Sequence, residues 1–501
     1  MPEKTKNGDL EARPVPSWVW ILLLVLAVAA YFAGLDMPLV GPDEPRYAQV
    51  AREMFERGDL ITPTLGGYHW FEKPALLYWL QIVSYSVLGV SEFAARLGPA
   101  LFGLGTAASL WLLGRFSGVD GLDRWLALIC ASTVGIIVFA HGASFDIIVT
   151  FPMTAALVSY FIFDRRHSLG SSGSTLPLFL FYFFVGISLL AKGLIGIVFP
   201  LAIVGLYHLL SWRLPGRTLT LSLFWGTLIA FSVAATWYVP MYLRNGYEFI
   251  DEFFLQHHFQ RFTSNKYQHP QPFYFFFLVL PLMTIPWLPF FGAAVIRVVG
   301  NVFKGGAAVD RDRNIPLLRF SWAWLLVPLI FFSMSGSKLP GYILPALPAT
   351  IVITGIYIYR LVSSSVRWRR AALTLAGVTF VVIITVAITV APRFANDDSV
   401  KPLIEAADLK GYSSKPVLMF LRVTHSAEFY AAGRLVRDEE GKLHRIASKD
   451  ELLSELSKFG GTAVVLVPRE YTSQLTDALE ITTEVIANNS EFNIAIVTLR
   501  D

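Results

Sequence analysis

Residues 74–90 read PALLYWLQIVSYSVLGV, and whether this run crosses a membrane sets the side on which every later segment lies. It is apolar, but it carries Gln81, Ser84 and Ser86 and is short beside the roughly 20 apolar residues that a spanning helix needs. The question arises because the chain has a membrane composition. Of its 501 residues, 54% are hydrophobic and only 16% charged, where a soluble domain carries about 25%. Candidate spans lie at 17–34, 97–114, 125–140, 145–163, 176–191, 194–211, 218–242, 272–296, 320–335, 341–359 and 371–391.

Basic loops resolve the ambiguous run. With a cytoplasmic N-terminus and 74–90 not crossing, the inner loops carry Arg115 and Arg124; Arg165 and Arg166; Arg213 and Arg217; Arg297, Lys304, Arg311, Arg313 and Arg319; and Arg360, Arg367, Arg369 and Arg370. If 74–90 crosses, all these clusters face outward, against the positive-inside tendency. The run therefore reads as a re-entrant or interfacial helix, giving eleven spans and an outer C-terminal end. A polar leader, MPEKTKNGDLEARPVPS, precedes an apolar run from Trp18 to Ala33 with no small-residue cleavage site, which reads as a retained first helix. The single cysteine, Cys130, sits in an apolar run and reads as packing. The net charge of +4 comes mostly from inner loops, and no nucleic-acid-binding signature is present.

Residues 392–501 are polar. VLMFLRV, TAVVLVP and FNIAIVTL read as strands, and SKDELLSELSKF and SQLTDALE as helices. A small α/β domain on the outer face is expected, without a glycine-rich nucleotide loop. The domain boundaries are then 1–391 for the membrane body, with a first external loop at 35–96, and 392–501 for the tail.

On this topology the ionisable residues at membrane edges gather on the outer side. GPDEPRYAQVAREMFERGD and GGYHWFEKP lie in the first loop. HGASFD contributes His141 and Asp146, AKG contributes Lys192, and EFFLQHHFQRF and SGSKLPGY follow. Such residues are costly in a bilayer and point to function by default. Asp43 or Glu44 fits a helix N-cap before Pro45, opening an interfacial helix with Tyr47, Val50, Met54 and Phe55 as its apolar stripe. Either carboxylate also suits a general base or a stabiliser of positive charge. Glu72 and Lys73 form a local ion pair or belong to an interfacial set with Tyr68, Trp70 and Phe71. Lys192, Arg261 and Lys338 snorkel at span ends or converge on an anion such as a phosphate. His257 and His258 lack helical zinc-motif spacing, so a metal site would need a ligand from elsewhere, such as Glu72.

The first-loop stretch PDEPRYAQVAREMFERGDLITPTLGGYHWFEKPALLYW, followed in order by SFDIIVTFPM, LAKGLIG, HHFQRF and SKLPGYILP, resembles the bacterial 4-amino-4-deoxy-L-arabinose (aminoarabinose) lipid A transferases. These are GT-C-fold enzymes related to the dolichyl-phosphate-mannose protein mannosyltransferases. The resemblance covers roughly residues 17–360. It implies a polytopic helical GT-C body and transfer of a sugar from an undecaprenyl-phosphate donor to lipid A or another envelope acceptor. The implied location is the periplasmic face of the inner membrane. Carried over by motif, Asp43, Asp146 and Glu44 are the acidic catalytic positions, and Glu72 and Lys73 line the active site. Lys73, Lys192, Arg261 and Lys338 fall at donor-phosphate positions, Tyr47 and Tyr342 line the cavity, and Glu72 and His258 can hold a divalent ion such as zinc. No nucleotide is required. The aminoarabinose transferases have further spans and a larger tail than are read here, so the resemblance speaks to the reaction class more than to the acceptor. A protein mannosyltransferase-like enzyme and a lipid-linked-sugar transporter are the alternatives, although a transporter would favour midplane sites and internal repeats.

Overall fold

The computed structural model describes residues 14–170, 175–260, 270–303, 315–431 and 433–500, with the side chains of 257–260 and 299–303 outside the description. In chain order, helix α1 (Ser17–Phe32) leads into a short outer segment and helix α2 (Asp43–Arg57). A two-stranded turn follows, β1 (Thr64–Leu65) with β2 (Tyr68–His69), and then helix α3 (Leu76–Leu88). The membrane body continues with α4 (Glu92–Arg115), α5 (Leu122–Ala131), α6 (Val134–His141), α7 (Phe145–Ser168), α8 (Thr175–Lys192), α9 (Ile195–Leu210) and α10 (Arg217–Phe249).

Among the described residues, seven helices are long and apolar enough to cross a membrane unaided, and the bent pair α5–α6 makes an eighth. The apolar helices α1 and α9 are shorter, at 16 residues each. Helix α3 has 13 residues. At 1.5 Å per residue it reaches only about 20 Å, short of a hydrocarbon core of about 30 Å. It lies against α2 and α4, in keeping with the non-crossing reading of 74–90.

Two expected spans are broken, and each break is braced by the other. The run 125–140 bends by 53° between α5 and α6. The run expected as one span over 272–296 is two helices, Phe275–Met283 and Leu288–Phe303. At the first break, the hydroxyls of Ser132 and Thr133 each donate at 2.6 Å to a carbonyl of the preceding turn. The Val134 N–H donates to the Ile285 carbonyl at 2.8 Å. The Trp287 Nε1 donates to Ser132 Oγ at 3.1 Å. Backbone freed from a helix at membrane depth is tolerated only where protein satisfies it, and these bonds do so.

Helix α2 begins at Asp43 with no side-chain cap, so the expected N-cap is absent. Glu44 instead turns inward. Its carboxylate accepts from Arg96 Nη2 at 2.6 Å, Arg96 Nε at 3.1 Å, Val40 N at 2.9 Å and Ala143 N at 2.7 Å. Arg96, on α4, is fully buried and also donates to the carbonyls of Leu35 and Pro38, each at 2.9 Å, and to that of Met37. One guanidinium thus ties α4, the 35–38 segment and α2, while Glu44 adds the turn before α7.

The chain leaves the membrane on a continuous helical rod, Val366–Asp398, so the expected boundary at 391/392 falls inside a helix. The tail holds a four-stranded sheet in the order β3 (Val417–Met419), β4 (Thr462–Pro468), β6 (Phe492–Leu499), β5 (Ile481–Asn488). Strand β4 alternates faces. Val464 and Leu466 pack with Leu403 and Ile404, whereas Ala463, Val465 and Val467 pack with Leu452 and Leu456. Strand β5 was not expected. It reads ITTEVIAN and pairs along only one edge, to β6, so it lacks the apolar run of a central strand.

The tail docks on the first loop. Leu39 N donates to Tyr430 Oη at 2.8 Å and Gly41 N to Asp398 Oδ2 at 2.6 Å. Arg52 Nη1 donates to the Phe429 carbonyl at 2.8 Å and Leu443 N to the Gly66 carbonyl at 2.8 Å. The buried carboxylate of Glu53 accepts from Gly66 N at 2.8 Å and Thr64 Oγ1 at 2.6 Å, with Arg437 of the tail 3.6 Å away.

Arg96→Ala leaves Glu44 buried without its cation and strips several carbonyls of their donor. A loss of about 3–5 kcal/mol is expected, seen as a lowered unfolding temperature of the detergent-solubilised protein; an unchanged temperature would refute the clamp.

Candidate active site

The N-terminus of α7 is where the outer polar residues meet. Phe145 packs edge-on against Tyr47 of α2, with ring centroids 4.9 Å apart, and against Tyr78 of α3 at 5.4 Å. The next residue, Asp146, forms a close ion pair with Lys192 at the end of α8. The Lys192 ammonium stands 5.2 Å from the Tyr342 ring centroid. Gly341 lies so close to Asp146 that a methyl group there would overlap Oδ2. Four of the expected positions, Tyr47, Asp146, Lys192 and Tyr342, are therefore drawn together around two adjacent residues.

Asp43 sits at the rim. Its side chain is 53% exposed, and Oδ1 accepts from Arg46 Nη1 at 3.3 Å, one turn along α2. The Arg46 guanidinium carbon stands 5.4 Å from the Trp70 ring centroid. Below it, Glu72 and Lys73 form a half-buried pair 3.8 Å apart, on the segment between β2 and α3. That segment is anchored to the end of α10. His69 Nδ1 lies 3.4 Å from Glu248, and Phe71 packs against Phe249 at 5.9 Å. Burial first, then the carboxylates of Asp43 and Glu72, holds the Tyr47 phenol well above its usual range. Tyr47 therefore keeps its proton and can donate to an oxygen ligand.

Two expected residues, Glu44 and Lys338, take other positions. Glu44 is enclosed by four hydrogen bonds, which suits holding the loop rather than meeting a substrate. Lys338 is buried, and Nζ donates to the carbonyls of Ser335 at 2.6 Å and Gln271 at 3.0 Å, which commits two of its three donors to backbone. Arg261 and the side chain of His258 lie outside the described residues. Among the described residues no three of His, Cys, Asp and Glu are grouped to hold a metal ion. Glu72, the described member of the expected pair, lies 3.8 Å from Lys73. Residues that sequence reasoning missed are Arg46, Tyr78, Phe145 and Gly341. The helical spacing of Arg46 from Asp43 was the one available signal.

Membrane-length helices, a first loop that carries polar site residues and a C-terminal α/β tail make up the GT-C class of membrane protein. The crystal structure of ArnT from Cupriavidus metallidurans bound to undecaprenyl phosphate shares this fold, with a TM-score of 0.77 and 22% identity over 96% of this chain and 98% of that one. Residues 19–251 match the family model of the dolichyl-phosphate-mannose-protein mannosyltransferases. An undecaprenyl phosphate-alpha-4-amino-4-deoxy-L-arabinose arabinosyl transferase of Aeromonas hydrophila is 32% identical over 63% of this chain and 55% of its own length. An uncharacterized protein of Aquifex aeolicus is 30% identical over 68% of this chain and 73% of its own length. The chain belongs to the family that these proteins form, and its match spans about half the length of the aminoarabinose relative (55%).

Gly341→Ala places a methyl group into the Asp146 carboxylate. The Asp146–Lys192 pair is expected to be displaced, seen as a lowered unfolding temperature of the detergent-solubilised protein, while Gly341→Ala at an unchanged temperature would refute the close approach. Tyr47 gives a pH test. Its folded pKa is raised, so the stability linked to its protonated form is intact below the free-phenol value of about 10 and is lost as pH rises above it. Tyr47→Phe should show a smaller alkaline fall in unfolding temperature than the parent protein.

Proposed function

We propose that this protein transfers a sugar from an undecaprenyl-phosphate carrier to an envelope acceptor at the periplasmic face of the inner membrane. The sugar in this reading is 4-amino-4-deoxy-L-arabinose or a close relative, and the acceptor is lipid A or another envelope molecule. The observation that carries the proposal is the junction at the start of α7. There Phe145 seats Tyr47 and Tyr78 beside the Asp43 rim, while Asp146 holds Lys192. The named activity of the A. hydrophila relative and the lipid bound in the ArnT crystal structure support the choice of carrier.

In this reading the prenyl chain lies among lipid-facing helices, and the donor phosphate rests near Lys192 and Lys73. The bond from the anomeric carbon to the phosphate oxygen breaks, and the oxygen keeps the electron pair. The resulting phosphomonoester gains charge that the lysines neutralise. The acceptor oxygen attacks the opposite face of that carbon, so the transfer is a single displacement with inversion. A hydroxyl acceptor passes its proton to Asp43, which is exposed where an acceptor would enter. A phosphate acceptor is already ionised, and Asp43 then orients it or balances the oxocarbenium-like charge.

Asp43→Asn should lower transfer by about a hundredfold or more, the usual span for a lost acid–base group, with normal amounts of protein in the membrane. Full activity in that variant would remove Asp43 from the chemistry. Mass analysis of lipid A, other envelope glycans and proteins from cells with and without the protein identifies sugar and acceptor together. Movement of lipid-linked sugar in reconstituted vesicles without any transfer would replace the proposal by transport.

A further inference from the structure

Cations at the two ends of the membrane body have different partners. At the outer end carboxylates meet them: Arg46 pairs with Asp43, Lys73 with Glu72, Arg96 with Glu44 and Lys192 with Asp146. Helix α7 runs from there to the opposite end, where Arg165 lies about 28 Å from Asp146 along the axis at 1.5 Å per residue. At that end Asp164 pairs with Arg213 at 2.8 Å. Among the described residues no carboxylate pairs with Arg115, Arg124, Arg367 or Arg370, and the nearby Asp120 and Asp123 form no ion pair. Residues 115–124 and 360–370 carry arginine and no lysine. The two turns are joined, since Tyr359 Oη donates to the Asp120 carbonyl at 2.5 Å, and Arg165 Nη2 donates to the Ser117 carbonyl at 3.3 Å.

The start of α1 stands between Arg124 and Arg370. Trp20 packs edge-on against Trp125 of α5 with ring centroids 5.5 Å apart, and the Arg124 guanidinium carbon is 5.9 Å from the Trp20 centroid. On its other side α1 lies along the helix Val366–Thr389, where a methyl group on Gly377 would stand 3.7 Å from Leu23. Arg370 is about two turns back from Gly377, toward this end. Trp18 and Trp368, in the first turns of these two helices, are exposed. Tryptophan favours the headgroup level of a bilayer, so the guanidiniums stand at the depth of lipid phosphates. Beyond them Ile21, Leu24 and Val25 give α1 an exposed apolar face.

We propose that Arg124 and Arg370 hold the phosphate of an anionic glycerophospholipid whose acyl chains lie along the exposed face of α1. A guanidinium presents a planar fork of donors that matches phosphate oxygens, which suits arginine to this place better than lysine. A soluble anion would leave the apolar face of α1 uncovered. A zwitterionic lipid would bring its own cation against two guanidiniums that already lack a carboxylate. The surface lies at the end of the body away from Asp146, so it does not rest on the sugar-transfer reading.

The test uses the full detergent-solubilised chain and two probes, phosphatidylglycerol and phosphatidylcholine with matched acyl chains, with retained lipid counted by native mass spectrometry. The parent protein should retain phosphatidylglycerol in preference. An arginine near an anionic lipid surface is worth about fivefold in binding, so Arg124→Gln and Arg370→Gln should each cut that preference about fivefold. Where one of them does not fold, the other serves. Lys410→Gln and Lys449→Gln remove equal charge from the tail, where these lysines pair with Glu484 and Glu480. Both should stay within about twofold of the parent. Equal retention of the two lipids by the parent, an unchanged preference in the arginine variants, or an equal loss in the tail variants would each overturn the site. Loss of both lipids together from the arginine variants would also overturn it, since the apolar face alone would then be holding them.

Discussion

The salt bridge between Glu44 and Arg96 is the constraint on which the outer face depends. Arg96 has no exposure, and its donors reach three backbone carbonyls as well as the carboxylate. A buried ion pair is rarely a net source of stability, because desolvation opposes the attraction. What it supplies here is position. Glu44 bonds Ala143, two residues before Phe145, so the start of α2 is registered against the start of α7. Asp43 is consequently held outside, at the rim, while its neighbour is locked within.

The same economy appears at the two broken spans. At the breaks of α5–α6 and of the helix pair 275–303, Val134 N takes the Ile285 carbonyl as its acceptor and Trp287 donates to Ser132, so each break is tied to the other. α6 ends at His141, four residues before α7 begins, so this brace lies in the path that positions the site. The tail acts on the opposite flank of the first loop. Tyr430 and Asp398 bond the backbone just ahead of Asp43, and Leu443 bonds the turn ahead of Glu72. Both halves of the loop are thus gripped from the membrane side and from the tail.

Much of this was legible in the residues. Basic clusters set 74–90 apart, and it forms a short 13-residue helix, while each expected span corresponds to a helix or a helix pair. Two breaks escaped notice because they depend on Ser132, Thr133 and Trp287 meeting across the fold, which local hydropathy does not report. Asp146 and Lys192 stood out as polar groups at span ends, whereas Tyr47 and Tyr342 were picked out as cavity residues only through the family resemblance. Glu44 and Asp43 were indistinguishable in sequence, since only a distant arginine separates a buried clamp from an exposed carboxylate. Tyr78 was hidden among apolar neighbours, where an aromatic residue ordinarily signals packing. Strand β5 was missed because an edge strand with alternating polar residues looks like a loop.

The rod 366–398 carries the chain from the bilayer into the tail with no slack between them. In an α-helix, one added residue turns everything beyond it by about 100° and advances it by about 1.5 Å. Inserting a single residue ahead of Asp398 would therefore swing Asp398 and Tyr430 to another azimuth around the rod, away from residues 39–41. Length change in this connector is quantised: only steps close to whole turns preserve the angular phase between tail and loop, and even these lift the tail along the axis. A flexible tether would have absorbed such changes freely.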